Sequence, residues 1–289
     1  MKEARLHGSH AEAIVNALTI DVEDYFQVSA FAPHIDRADW DRCECRVERN
    51  IARILELLEP QGVKATFFTL GWIAERYPAI VRDIVANGHE LASHGYDHLR
   101  ASDQDEAGFF ADIQRAKTLL EDLSGAAVNG YRAPSFSICT GNHHWAFECL
   151  ARAGYRYSSS IYPIKHDHYG MPDAPRFAHL AHASLLEVPA TTIRAFDRNW
   201  PASGGGYFRL MPYALSHRLI TRVNRHDGEA AVFYFHPWEI DTEQPRVPGI
   251  SAKTRFRHYV NIHRMEDRIK RLLVDFRWGR MDHIFLAGR

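Results

Sequence analysis

The sequence predicts an α/β fold, a parallel sheet covered by helices and closed in the manner of a (β/α) barrel. Three observations predict it. Apolar runs rich in β-branched and aromatic residues alternate with segments of helical period. The polar clusters that could carry chemistry directly follow such runs, the place parallel α/β folds give to active groups. A chain of 289 residues with 46% hydrophobic content also supplies one large core, which favours closure within a single domain over an open sheet with a second domain.

The elements follow in order. After a polar tail, residues 1–13, AIVNALTI reads as a buried strand that ends in Asp21, Glu23 and Asp24. RVERNIARILELLEPQG sets Val47, Ile51, Leu55 and Leu58 on one helical face and stops at Pro60 and Gly62. VKATFFTL is the next strand. PAIVRDIVANG is a helix entered at proline and left at glycine, and HELASHG is short and extended. FFADIQRAKTLLEDLSG carries Phe109, Ile113, Ala116, Leu120 and Leu123 at helical spacing and feeds VNGYRAPSF, a strand with its exit loop. NHHWAFECLARAG then reads as helix, GYRYSSSIYP as strand and loop, LLEVPATTI and AAVFYFHPWEI as later strands, and NIHRMEDRIKRLLVDF as a late helix. The stretch 160–212, rich in Pro, Gly, His and aromatics, gives no clean period. Residues 14–289 are therefore expected to form a single domain with a C-terminal helical extension.

Composition narrows the function classes. Thirty-five basic residues against 36 acidic ones give a formal charge of -1, so no net field points to nucleic acid or to an anionic membrane. Cys43, Cys45, Cys139 and Cys149 form no C-x-x-C pair and no zinc-finger spacing, which predicts reduced structural thiols. No apolar run reaches the roughly 18 residues of a membrane span, and the polar start carries acidic residues, so the expectation is a soluble, cytoplasmic protein. Eighteen histidines are a generous supply of metal ligands and proton carriers.

Four places combine chemistry with position. Asp21 and Glu23 leave the first strand on the same side, and crowded carboxylates call for a cation or a basic partner. An acidic cap of the next segment is the plain alternative. His94 and His98 in SHGYDH are four apart, so on one helical turn both imidazoles would meet one cation, with Asp97 available to fix a tautomer. Arg132 precedes Ala133 and Pro134 just past a strand, where a guanidinium can hold a carboxylate ionised. His236 follows the run AAVFYF and is placed to act as a general acid. Each has an ordinary structural alternative when taken alone, but the set matches metal-assisted hydrolysis. Trp200, Tyr207, Phe208 and Trp238 are candidates for a sugar-stacking rim, with core packing as the rival role.

LTIDVEDYF, SHGYDH, GYRAPSF, GYRYSSSIYP and FYFHPWE resemble, in order, the five motifs of the NodB-homology polysaccharide deacetylases, carbohydrate esterase family 4. DVEDYFQVSAF, GGGYFRLMP and RFRHYVNI look most like the bacterial members associated with exopolysaccharide and exosortase clusters. The resemblance implies a deformed (β/α) barrel, one divalent metal ion, usually zinc, and hydrolysis of N-acetyl groups on the amino sugars of a glycan or its lipid-linked precursor. It implies Asp21 as general base, His94 and His98 as metal ligands, Arg132 as the residue orienting the base and His236 as general acid. The third ligand is Glu23 or Asp24, because D-V-E-D replaces the adjacent aspartates of many relatives; strand alternation favours Glu23. Ser158 stands where the fourth motif often carries the aspartate that pairs with the acid histidine, which leaves Glu239 or Asp241 as replacement partners. Hydrolysis of a cyclic amide such as allantoin and a non-catalytic glycan-binding role are the alternatives. Nothing in the sequence fixes the oligomeric state, and a homo-oligomer is compatible with it.

Overall fold

A computed structural model describes residues 14–166 and 169–288; the polar tail lies outside the described residues. Strand β1 (Val15–Val22) is buried almost throughout and is followed by α1 (Val47–Leu58), β2 (Thr66–Thr69), the short α2 (Gly71–Arg76), α3 (Pro78–Ala86) and β3 (Glu90–Ser93). Next come α4 (Glu106–Ser124), β4 (Gly130–Tyr131), α5 (His143–Arg152), β5 (Tyr157–Ser158), β6 (His179–His182) and β7 (Leu185–Glu187). A separate hairpin of β8 (Thr192–Ala195) and β9 (Arg198–Pro201) precedes α6 (Gly205–Leu210), α7 (Tyr213–Arg222) and β10 (Val232–Phe235). The chain ends with α8 (Ala252–Tyr259), α9 (Met265–Asp275), β11 (Arg277–Gly279) and α10 (Met281–Phe285).

The local signals act as the sequence predicts. Pro78 occupies the first turn of α3, where its missing N–H has no intrahelical partner to lose. Asp105 caps α4 by accepting from the Gly108 N–H at 2.8 Å, and Gly125 closes that helix at φ 64°. Helix α2 was not anticipated, because its one and a half turns are too short to show a period.

Among the described residues, nine strands form one sheet in the order β10-β1-β2-β3-β4-β5-β7-β6, with β11 pairing the start of β1. Every pairing is parallel except β6 with β7. The fold is a deformed barrel, and its ring is not closed by strand pairing between β6 and β10. Instead the Thr191 hydroxyl, beyond β7, accepts the Val232 N–H of β10 at 2.6 Å. Inside the curl, Ala17, Phe68, Ala92, Tyr157, Leu186 and Val232 pack on Met281 and Leu286. The C-terminal segment is thus no appendage, since β11 extends the sheet and α10 plugs its base. The plug leaves the C-terminal ends of the strands as the open end of the barrel, where polar side chains meet solvent.

Candidate metal centre and hydrolytic site

Asp21 sits near the end of β1, faces the barrel interior and is 2% exposed. Arg132, one residue past β4, reaches it with Nη1 at 2.6 Å from Oδ1. The guanidinium lies over the Phe68 ring at 4.1 Å and also donates to Thr19 Oγ1, the Ser159 carbonyl and Ser159 Oγ. A buried ion pair costs several kcal/mol of desolvation unless its donors and acceptors are satisfied, and this one is satisfied on the arginine side.

Beyond Asp21 the chain turns tightly, with the Glu23 N–H bonded to the Asp21 carbonyl at 3.0 Å. Glu23 points into the cluster and Asp24 points away from it. Asp24 accepts from the backbone N–H groups of Tyr25, Arg46 and Val47 at 2.7, 2.5 and 2.8 Å, so it ties the post-strand turn to the start of α1. The acidic-cap alternative therefore describes Asp24 and not its two neighbours.

His94 follows β3 directly. Its Nδ1 donates to the Arg132 carbonyl at 2.9 Å, and because a carbonyl can only accept, Nε2 is left bearing the lone pair. His98 approaches through a loop rather than the helical turn expected from the spacing. Gly95 at φ 75° and His98 at φ 55° bend that loop back on itself. The Asp112 carboxylate from α4 supports the loop by accepting the Tyr96 N–H at 3.1 Å. Burial pushes Asp112 up to about 6. Asp97, expected beside a histidine, pairs with Arg37 instead.

One oxygen of Glu23 and one ring nitrogen each of His94 and His98 lie within 4.8 Å of one another, all buried. Glu23 Oε2 is 2.6 Å from His98 Nε2 but lacks the alignment of a hydrogen bond, and it has no other partner among the described residues. A buried carboxylate oxygen facing two imidazoles, otherwise orphaned, fits a divalent cation with a two-nitrogen, one-oxygen donor set. Burial alone raises the carboxyl of Glu23, yet the neighbouring His98, His236 and His94 overcome it and hold the group well below the usual range. Burial drives His94 down to about 4, so it is neutral and able to ligate near pH 7.

His236 directly follows β10 with a fifth of its side chain open to the cleft, its Nε2 3.6 Å from Glu23 and 3.9 Å from Asp21. Its Nδ1 contacts Glu239 Oε2 at 3.1 Å, and Glu239 is held by the fully buried Arg209 at 2.9 Å. Burial opposes the imidazolium, but the charges of Glu23, Glu239 and Asp21 outweigh it and raise His236 to about 9. Of the two replacement partners weighed from the sequence, Glu239 takes the place; Asp241 is bound to Arg46 and Arg49. Ser158 bonds Ser160 at 2.8 Å. Arg209 was missed. Its only trace in the sequence is an arginine inside the otherwise apolar YFRLM.

The cluster floors a cleft of about 680 Å³ lined also by Ser135, Tyr207, Trp238 and Arg209. Of the proposed aromatic rim, Tyr207 and Trp238 line this cleft, whereas Phe208 packs in the core against Phe233 and Trp200 lies on the β8–β9 hairpin. Residues 39–157 match the family profile described as polysaccharide deacetylase. This part of the chain is similar to the NodB-homology polysaccharide deacetylases. Residues 159–286 of this deacetylase homologue match a domain of unknown function, DUF3473. His94, His98 and Arg132 thus lie in the first matched region and His236, Glu239 and Arg209 in the second. A peptidoglycan-N-acetylglucosamine deacetylase of Bacillus cereus is 35% identical over 96 residues, 33% of this chain and 35% of that protein. The chain spans about a third of the length of the curated relatives it matches. Two solved structures share the fold. One, from Mycobacterium smegmatis and assigned to the polysaccharide deacetylases, has a TM-score of 0.59 at 21% identity, covering 94% of this chain and 92% of its own. An allantoinase has 0.58 at 15%, covering 93% and 87%.

Proposed function

We propose that this deacetylase homologue hydrolyses N-acetyl groups from N-acetylhexosamine units of a glycan, with a divalent ion, zinc by its donor set, held by Glu23, His94 and His98. The observation that carries the reading is the convergence of those three donor atoms beside an aspartate clamped by a buried arginine. A bound ion would supply Lewis acidity to the acetamide carbonyl and to a water. Asp21 takes the proton of the attacking water, and Arg132 keeps that carboxylate ionised and aimed. His236, protonated near neutral pH through Glu239 and its other acidic neighbours, delivers a proton to the departing amine. Tyr207 and Trp238 offer aromatic surface for a pyranose face.

The two matched regions act in this reading as one catalytic unit, because each contributes side chains to the same cleft. The substrate is a polymer or lipid-linked precursor of envelope or exopolysaccharide synthesis met at the cytoplasmic face. The test is acetate release from chitooligosaccharides by purified protein that has been chelated and then restored with Zn²⁺, with elemental analysis of the same sample. Restored release supports the reading. Absence of both metal and release after restoration refutes it, as does full activity of Asp21→Asn or His94→Ala.

A further inference from the structure

The β8–β9 hairpin is a two-stranded sheet apart from the barrel, and its turn is chemically odd. Ala195 pairs with Arg198, so the two residues between them, Phe196 and Asp197, form a two-residue turn. Both have left-handed backbones, at φ 52° and 55°. That geometry matches the strand twist and favours Asn-Gly; a bulky phenylalanine is among the residues least suited to it. Nothing in the fold compensates, because Phe196 is 92% exposed. Neither local propensity nor burial accounts for an aromatic ring at this tip.

The surroundings suit one kind of partner. Trp200 leaves 44% of its surface exposed while its indole N–H is satisfied by the Ala195 carbonyl at 3.1 Å, an apolar ring with a fixed polar edge. Arg198 reaches over that ring, and Arg222 of α7 donates to the Arg194 carbonyl, bringing a third guanidinium to the hairpin. With Lys165, these cations outnumber the nearby carboxylates Asp173 and Asp197. An apolar tip, a tryptophan behind it and arginines that can snorkel are the components of an interfacial anchor for an anionic bilayer. The net charge of -1 hides this patch because it averages over the whole chain.

We infer that the β8–β9 hairpin docks the protein on an anionic lipid surface by inserting Phe196 among the headgroups. The hairpin also walls a cavity of about 630 Å³ that meets the reactive cleft at Tyr207, so docking there sets the cleft beside the lipid surface. Among the described residues no helix is long and apolar enough to cross a membrane, and the contact is peripheral.

The experiment is vesicle co-sedimentation of the full chain with phosphatidylcholine alone and with added phosphatidylglycerol. Wild type is expected to bind the anionic vesicles and to leave the neutral ones. The double change Phe196→Asn with Asp197→Gly gives the turn its preferred residues, so its melting temperature holds or rises while partition falls about tenfold or more. Arg194→Glu with Arg198→Glu is expected to abolish binding. No binding by wild type, equal binding by the Asn-Gly variant, or a lower melting temperature in that variant overturns the inference. Self-association that the Asn-Gly change abolishes, without vesicle binding, overturns it in favour of a protein contact. Acetate release plays no part in the readout, so this inference and the deacetylase reading fail separately.

Discussion

The imidazole of His94 and the backbone carbonyl of Arg132 are joined by a 2.9 Å hydrogen bond. One residue thereby serves two centres: the Arg132 guanidinium fixes Asp21, and its carbonyl fixes the tautomer of a proposed ligand. Strand β4 is only two residues long, but its pairing with β3 sets both distances at once.

Glu23 and Asp24 are adjacent and should fail differently. Glu23→Gln is expected to lose stoichiometric zinc, measured by elemental analysis after dialysis, with little change in the melting temperature of the metal-free protein. Asp24→Ala should retain zinc but lose about 1–2 kcal/mol of stability in urea unfolding, because it releases three backbone N–H groups at the turn and at the start of α1. Reversal of that pattern would make Asp24 the ligand.

The pairing of Glu239 with His236 predicts a pH effect. Removing the Glu239 charge in Glu239→Gln lowers the proton affinity of His236 from its raised value of about 9, so the alkaline limb of kcat/KM moves to lower pH. Asp241→Asn, which touches Arg46 instead, should leave that limb in place. A pH–rate profile of acetate release by both variants decides it.

In chelated protein the two histidines pull stability in opposite directions. His94, depressed to about 4, stays neutral where the unfolded chain takes up a proton, so stability falls as pH drops from about 6.5 towards 4. His236, raised to about 9, contributes stability that is full below about 6.5 and is lost as pH rises through 9. Melting temperatures of metal-free wild type and His236→Gln across pH 5 to 10 would separate the two, since the variant should lack the alkaline loss.

Gly205 has no room for a side chain. A Cβ there would fall 1.9 Å from Glu239 Oε2, so Gly205→Ala must push that carboxylate off His236 or shift the start of α6. Overpacking of this kind costs about 1–3 kcal/mol, and activity should drop at least tenfold while zinc binding is kept. Zinc content and acetate release on one preparation give the answer.

The candidate site was legible wherever a chemical group ends a strand. Asp21, His94, Arg132 and His236 each follow an apolar run, and strand period alone brings Glu23 to the side of Asp21. Arg209 and Asp112 were illegible as functional groups, because Arg209 lies in the stretch that gives no clean period and Asp112 in a helix that reads as ordinary amphipathic sequence. Their meaning lies in partners 30 and 16 residues away, on the Glu239 carboxylate and the Tyr96 amide.

By itself the sequence determined the alternation of strands and helices, the parallel sheet and the residue types at its C-terminal edge, since these depend on period and local propensity. Only the tertiary structure decided that His98 arrives through a left-handed loop, that Asp24 is a cap, that Glu239 and not Asp241 meets His236 and that Thr191 bridges the barrel's open seam. Those outcomes depend on which side chains meet across large sequence separations, and burial there fixes a charge or hydrogen-bond partner that no local pattern records.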